Sequence, residues 1–140
     1  MTNKLLLRIA AACLWFFAFG HTIGHITRKD TNDENARKVL QLMSETKFDM
    51  FGKMRSYDEN YTGMSLNLIV TLITLGILLW NLSVLEIENQ KRMSVSILIL
   101  ILCMVGFSVT SFLYFFPLPA VSCLLAAIAT GVAFFRIKTV

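Results

Sequence analysis

With 140 residues, a hydrophobic content of 56% and a mean hydropathy of +0.65, the chain is too apolar for an ordinary soluble domain. Its net charge of +4 comes from 13 basic and 9 acidic residues. The basic residues flank apolar runs instead of forming a patch, which argues against nucleic acid as a partner. Three cysteines inside apolar runs indicate buried thiols, not a disulfide framework. The composition predicts a membrane protein whose main partner is the lipid bilayer.

Four apolar runs are each long enough to cross the hydrocarbon core of a bilayer, which takes about 20 residues. A segment in hydrocarbon has to satisfy its own backbone polar groups, so helices are the expected structure. We therefore predict an all-α membrane protein, a single antiparallel four-transmembrane-helix bundle with an amphipathic first loop. The helices are expected at residues 5–26, 57–86, 93–116 and 119–137. The first run is too long for the core of a signal peptide, so we expect it to be retained.

The first predicted membrane helix carries His21 and His25 near its end. Residues four apart share one face of a helix, so both imidazoles point the same way. An ionisable residue inside a membrane segment indicates a functional site. Two imidazoles at this spacing can also share a metal ion, with Asp58 or Glu59 as a further ligand. The alternative is that both rings only bond a nearby carbonyl or carboxylate.

Gly20 and Gly24 form a second stripe on the same helix. Small residues four apart let two membrane helices approach closely. We expect this approach mainly within the chain, to the second membrane helix. A homo-oligomer that packs through Gly20 and Gly24 is the alternative.

The first loop, at residues 27–56, is more than a linker. Asn32 or Asp33 can cap a helix over residues 34–45, whose apolar face carries Ala36, Val39, Leu40 and Met43. The stretch that follows is too apolar for a solvated loop, since it contains Phe48, Met50, Phe51 and Met54. The loop is therefore expected to lie on the membrane surface or to fold over the open end of the bundle as a lid.

The second membrane helix has a recognisable start. Ser56 and Glu59 form the ends of a capping box, in which Ser56 is the N-cap and Glu59 reaches back to it. Polar side chains continue for three turns, at Asp58, Glu59, Tyr61, Thr62, Ser65 and Asn67. With a histidine, a carboxylate and a tyrosine can act as acid and base on a lipid-like molecule. The alternative is that these groups only complete a helix end.

The last two membrane helices are predicted to form an antiparallel hairpin. A short polar turn at residues 89–92 leads into the first of them. Pro117 and Pro119 then break the chain, and Pro119 suits the first turn of the last helix. Ser108 and Ser111 add hydroxyl groups toward the loop side of the membrane. Lys and Arg on the short flanking segments favour cytoplasmic termini.

Several segments carry a resemblance to a known family: Gly20-His21-Thr22-Ile23-Gly24, Phe48-Asp49-Met50-Phe51-Gly52, Arg55-Ser56-Tyr57, Tyr61-Thr62-Gly63 and Tyr114-Phe115-Phe116-Pro117-Leu118-Pro119-Ala120. Together they resemble a family of small, uncharacterised bacterial four-helix membrane proteins, over most of the chain. In that family an aromatic residue precedes an acid after Arg-Ser-Tyr, so Glu59 matches the acid and Asp58 departs from the pattern. The resemblance implies the architecture and no particular activity.

These observations lead to one main functional hypothesis. The polar loop-side end is expected to bind, or to act on, a small lipid-like or amphipathic molecule. The candidate catalytic residues are His21, His25 and Glu59, and the candidate ligand-binding residues are Arg55, Tyr57, Asp58, Tyr61, Asn67, Ser108 and Ser111. A non-catalytic membrane subunit that packs against a partner is the alternative. The sequence assigns no cofactor and leaves enzymatic activity open.

Overall fold

The computed structural model describes residues 2–85 and 87–139. In this part of the chain the elements are α1 (Asn3–Thr27), α2 (Glu34–Glu45), β1 (Lys47–Met50), β2 (Lys53–Ser56), α3 (Tyr57–Val84), α4 (Ile87–Arg92), α5 (Ser94–Tyr114) and α6 (Pro117–Thr139). The prediction of an all-α class is confirmed, apart from the small hairpin of β1 and β2. The predicted end of the second membrane helix, at residue 86, lies outside the described residues.

Four helices within the described residues are long and apolar enough to cross a membrane: α1, α3, α5 and α6. Their mean hydropathy over the most apolar window ranges from 1.6 to 2.4. These helices are consistent with a multi-pass membrane protein. The first turn of α6 contains both Pro117 and Pro119. Proline is tolerated there because the backbone N–H groups of a first helical turn have no acceptor within the helix.

The chain divides into two compact units. We call Met1–Ala18 with Thr71–Val140 the core unit, and Phe19–Val70 the loop unit. The boundaries fall inside α1 and α3, so each of these helices contributes to both units. The prediction of a single domain stays a prediction.

The core unit is packed with aliphatic and small side chains. Its buried residues include Leu7 and Leu14 of α1, Leu72 and Leu79 of α3, and a series of small residues on α6: Ala120, Cys123, Ala126, Ala127 and Ala133. Small residues along one helix face let a neighbouring helix approach closely. Helix α5 packs on α6, and Ser108 Oγ donates to the carbonyl of Ala120 across 2.9 Å.

The closest approach at a glycine occurs at Gly76 of α3. The indole of Trp15 lies directly over this residue, and a Cβ added at Gly76 would clash with it. Trp15 Nε1 donates to the carbonyl of Ile73 across 3.3 Å, and its ring lies 5.6 Å from the ring of Trp80. In contrast, a Cβ added at Gly20 or Gly24 meets no atom within 4 Å. The close approach predicted there within the chain is therefore not observed.

The connection between α3 and α5 is helical. The prediction of a simple polar turn at residues 89–92 is wrong, because α4 occupies Ile87–Arg92. Gln90 is buried, and its Nε2 donates to the carbonyls of Leu82 and Leu85 across 2.9 and 3.1 Å. The Leu82 carbonyl also accepts the backbone N–H of Leu85 across 3.3 Å. The Gln90 amide thus adds hydrogen bonds at the end of α3, where carbonyls lack partners further along the helix, and it stabilises the reversal of the chain.

The loop unit contains the predicted helix α2, at Glu34–Glu45. Asp33 is its N-cap, and Asp33 Oδ1 accepts a hydrogen bond from the backbone N–H of Asn35 across 2.9 Å. No residue of α2 is buried. The apolar face of this helix therefore lies partly exposed, at Ala36, Val39, Leu40 and Met43.

The hairpin of β1 and β2 was not predicted from the sequence. Its strands pair antiparallel, with Lys47 opposite Ser56 and Met50 opposite Lys53. The turn residues Phe51 and Gly52 both have positive φ, 52° and 82°. Positive φ at both positions is the geometry of a type I′ turn, which suits the twist of a two-residue hairpin. Asn-Gly is the usual sequence signal for this turn, so Phe51-Gly52 did not predict a hairpin here.

The stretch after α2, which is expected to lie on the membrane surface or over the open end of the bundle, is only partly buried against the protein. Phe48 is half-buried and packs on Tyr57, with ring centroids 4.7 Å apart. Met50 is half-buried as well. Phe51 at the turn is fully exposed and Met54 is 60% exposed. One side of the hairpin thus contacts the start of α3, while its tip is free of the rest of the protein.

Candidate functional site

The start of α3 is fixed by the predicted capping box. Glu59 N–H donates to Ser56 Oγ across 3.1 Å, and the Glu59 carboxylate accepts from the N–H of Ser56 across 2.8 Å. Arg55 Nη1 donates to the same carboxylate across 3.3 Å. These bonds satisfy backbone groups at the helix end and set the direction in which α3 leaves the hairpin.

The two histidines converge on one hydroxyl group. His21 Nε2 and His25 Nδ1 each lie 2.9 Å from Ser65 Oγ, within hydrogen-bond distance. His21 and His25 stack on one face of α1, and Ser65 faces them from α3. Ser65 is buried, at 5% exposure, while both imidazoles are half-buried. The histidines are therefore joined through Ser65, a residue that the sequence analysis did not select for the site.

Beside this group lies a cluster of charges. Arg28 Nη2 donates to Asp58 Oδ1 across 2.7 Å and to Thr62 Oγ1 across 2.8 Å. Lys29 Nζ donates to Asp58 Oδ2 across 2.8 Å. The Arg28 guanidinium also lies 4.8 Å from the ring centroid of Tyr61. Two cations thus share one carboxylate, so this cluster carries an excess of positive charge.

A cavity lies between the hairpin and the first turns of α3. Its volume is about 410 Å³. We call it the hairpin cavity, and it is lined by Met50, Arg55, Asp58, Glu59, Asn60, Thr62, Gly63, Met64 and Asn67. This volume falls within the range of small-molecule sites, about 300–1,000 Å³. Charged, amide and thioether groups line it together, which suits a ligand with a polar part and an apolar part.

Helical spacing explains why the charge cluster and the cavity are neighbours. Asn60, Gly63 and Asn67 repeat every three or four residues and form one face of α3. Asp58, Thr62 and Ser65 repeat in the same way and form the adjoining face, toward α1. Asp58 and Thr62 line the cavity and also bind Arg28. A ligand in the cavity would therefore lie next to groups that are tied to α1.

The structure gives each predicted site residue a definite setting. Asp58, Glu59, Arg55 and Asn67 line the hairpin cavity. His21 and His25 share Ser65, and Tyr57 and Tyr61 contact Phe48 and Arg28 respectively. Ser108 and Ser111 belong to the core unit, where Ser108 bonds the Ala120 carbonyl and Ser111 is buried.

Among the described residues, the structure places no third metal ligand beside His21 and His25. Among residues 2–85 and 87–139 no group of three or more His, Cys, Asp or Glu side chains is arranged to hold a metal ion. Asp58 and Glu59, the predicted further ligands, form ion pairs with Arg28 and Arg55. The two imidazoles meet a neutral hydroxyl, which is a weak ligand compared with a carboxylate or a thiolate.

The sequence predicted no role for Arg28, and it predicted Ser65 only as one of the polar residues at the start of the second membrane helix. Ser65 is seven residues after Asp58, on the same face of α3, so its position on the polar face was readable. Arg28 is three residues after His25, at the end of α1. A cation there signals a partner for the acidic start of the next membrane helix, which is Asp58 in the structure.

No family model, curated protein or solved structure matches this chain. The resemblance of the five quoted segments to the bacterial four-helix family therefore stays a prediction. A functional proposal therefore rests on three features of the structure: the Ser65-bridged histidines, the charge cluster and the hairpin cavity.

Proposed function

We propose that this chain is a multi-pass membrane protein whose loop-side polar end binds a small amphipathic molecule. In this proposal the four long helices form an antiparallel bundle in a bacterial inner membrane, with both termini in the cytoplasm. The chain would belong to the family of small four-helix membrane proteins that its sequence resembles. The hairpin cavity would receive the polar head of the ligand, and the bilayer would receive its apolar part.

The observation that carries this proposal is the composition of the hairpin cavity. Arg55, Asn60 and Asn67 supply hydrogen-bond donors, and Met50 and Met64 supply apolar surface. Asp58 is already neutralised by Arg28 and Lys29, so it does not repel an anionic group. An anionic or hydroxylated headgroup fits this set best, because a guanidinium binds such oxygen atoms in a bidentate manner.

Acid–base chemistry on the bound molecule is the second part of the proposal. His21 and His25 would hold and release a proton, since imidazole is the side chain that titrates closest to neutral pH. Glu59 borders the cavity, and its carboxylate would act with them on a group of the ligand.

Binding can be tested with lyso-phosphatidylglycerol, a probe that has one phosphate, hydroxyl groups and one acyl chain. The protein in maltoside micelles is titrated with the probe, and its dissociation constant is measured by native mass spectrometry. Arg55→Gln should weaken binding about tenfold, which corresponds to 1.4 kcal/mol and the loss of one charged hydrogen bond. Lyso-phosphatidylcholine, whose headgroup has a positive end and no free hydroxyls, should bind more weakly.

The matched control is Arg92→Gln. Arg92 forms an ion pair four residues away with Glu88, as Arg55 does with Glu59, but it lies on α4 in the core unit. Arg92→Gln should leave the dissociation constant of the probe unchanged. Equal effects of the two variants would mean that the probe responds to net charge alone, and the cavity would lose its role.

The catalytic part is tested in the organism. His21→Ala and Glu59→Gln should abolish the biological activity of the protein while it still inserts and reaches normal levels. Full function of both variants would make the polar end structural.

The second candidate function is a non-catalytic membrane subunit. Gly20 and Gly24 favour it, because both are exposed and a Cβ at either meets no atom within 4 Å. This stripe is therefore open to a helix of a partner or of a second copy. If the protein is such a subunit, Gly20→Leu should disrupt complex formation in crosslinking experiments. The same variant should leave binding of the probe intact.

A further inference from the structure

We propose that Ser65 relays a proton between His21 and His25. Ser65 Oγ lies 2.9 Å from His21 Nε2 and 2.9 Å from His25 Nδ1, so the three side chains form one continuous hydrogen-bonded chain. The histidines are one helical turn apart on α1, and the hydroxyl from α3 lies within hydrogen-bond distance of both rings.

A hydroxyl group suits this position because it both donates and accepts. In the neutral chain one imidazole N–H donates to Ser65 Oγ, and the Ser65 hydroxyl donates to the unprotonated nitrogen of the other ring. When His25 takes up a proton, its Nδ1–H donates to Oγ. The proton can then pass to Oγ while the Ser65 proton passes to His21 Nε2. One proton enters at His25, one arrives at His21, and Ser65 keeps one throughout.

The same geometry opposes the uptake of a second proton. If both rings are protonated, both donate to Oγ, and two positive charges lie on either side of one buried hydroxyl. The Asp58 carboxylate, which is shared by Arg28 and Lys29, also interacts with His25. Two ionisable groups that share one hydrogen-bonded partner take up protons in steps that belong to the pair and not to either residue.

This inference rests on the proposed function for its purpose, since the transferred proton would serve a molecule bound at the hairpin cavity. Ser65 acts through the histidines and does not line the cavity, so it is a positioning residue. It also explains why a polar side chain is buried at the junction of two membrane helices. A buried serine can also be satisfied by a backbone carbonyl of its own helix, without any histidine partner.

The relay can be tested without any ligand. The protein is labelled with ¹⁵N-histidine, placed in lipid nanodiscs, and its ring nitrogen shifts are followed by NMR as a function of pH. In the wild type, signals of both rings should move together in the first step, because one proton exchanges between them.

Ser65→Ala should remove the exchange of the proton between the rings, so that the signals of the two rings no longer move in parallel. Ser65→Thr keeps the hydroxyl and should restore the shared step. The matched control is Ser122→Ala, which removes another buried serine whose Oγ bonds only the Leu118 carbonyl of its own helix. This control should leave the histidine signals unchanged.

Independent titration of the two rings in the wild type would overturn the relay. If Ser65→Ala does not insert, His25→Gln serves instead, and the signals of His21 should then show one step in place of two. Probe binding is measured on the same samples. Coupled rings without binding would refute the proposed function alone, and binding with uncoupled rings would refute the relay alone.

Discussion

The core unit and the loop unit are stabilised by different interactions. The core unit contains all the buried apolar residues found among the described part of the chain, such as Leu7, Leu72 and Met104. In the loop unit, whose residues are all described, the buried residues are two serines, Ser56 and Ser65. The loop unit is stabilised instead by the ion pairs of Asp58 and by the hydrogen bonds of Ser56 and Ser65.

The difference shows how one pair of helices serves two purposes. Helices α1 and α3 pass through both units, with aliphatic packing in the core unit and polar bonding in the loop unit. A closely packed core leaves no space for a ligand, because the side chains of neighbouring helices fill it. A polar network can exchange one of its partners for a bound group, so the candidate site lies in the unit with little apolar core.

The sharpest test of this contrast is a pair of adjacent leucines on α3. Leu79 is fully buried and Leu78 is 45% exposed. Leu79→Ala should lower the free energy of unfolding by about 2–5 kcal/mol, because it leaves a cavity that the neighbours cannot fill. Leu78→Ala should cost far less, since lipid or detergent replaces the lost side chain. Unfolding in mixed micelles with increasing dodecyl sulfate measures both, and equal losses would show that packing does not dominate the core unit.

In the loop unit the largest effect is expected at Asp58. Its side chain is 13% exposed and that of its partner Arg28 is 14% exposed. Asp58→Asn removes the negative charge and should cost about 1.5–3 kcal/mol in unfolding free energy, the range for hydrogen bonds to charged groups.

The matched control for Asp58 is Glu88→Gln on α4. Its ion pair with Arg92 is highly exposed, at 75% and 76%. Exposed pairs contribute little, so this variant should stay within about 0.5 kcal/mol of the wild type. A similar loss in both variants would mean that burial adds nothing to the Asp58 pair.

The sequence was informative wherever one local pattern determines the structure. Runs of apolar residues predicted the four long helices, and the spacing of Ser56 and Glu59 predicted the capping box that forms. The cap of α2 at Asp33 was foreseen for the same reason. In each of these cases the interacting groups are neighbours along the chain.

The sequence was less informative wherever distant segments meet. The contact of Trp15 with Gly76 and the bridge of Ser65 between the histidines join residues about forty to sixty positions apart. Gly20 and Gly24 matched the small-residue pattern better than Gly76 did, yet a Cβ added at either meets no atom within 4 Å. A glycine shows that a close approach is allowed, and only the partner helix decides whether it occurs.

Gly76 provides the next prediction. Gly76→Ala would place a Cβ against the Trp15 indole, whose Nε1 also bonds the Ile73 carbonyl. The ring has to move, and the expected cost is about 1–3 kcal/mol, as for other overpacked cores. Gly106→Ala is the control, because a Cβ there meets no atom within 4 Å. Trp fluorescence should change with Gly76→Ala and not with Gly106→Ala, and unchanged stability of the first variant would contradict the close packing.

The smallest effect is expected at the N-cap of α3, where the polar bonding of the loop unit begins. Ser56→Ala removes the Oγ that accepts the Glu59 N–H, and losing an N-cap of this kind costs about 1 kcal/mol. Ser44→Ala is the control, because Ser44 is exposed and its Oγ only donates to the Gln41 carbonyl within α2. Ser56→Asp should recover most of the stability, since aspartate caps helices as well as serine does. Recovery by Ser56→Asp would assign the loss to the cap and not to the volume of the side chain. If Ser56→Ala and Ser44→Ala were equally stable, α3 would start without help from its cap, and burial of its apolar residues in the core unit would be enough to form the whole helix.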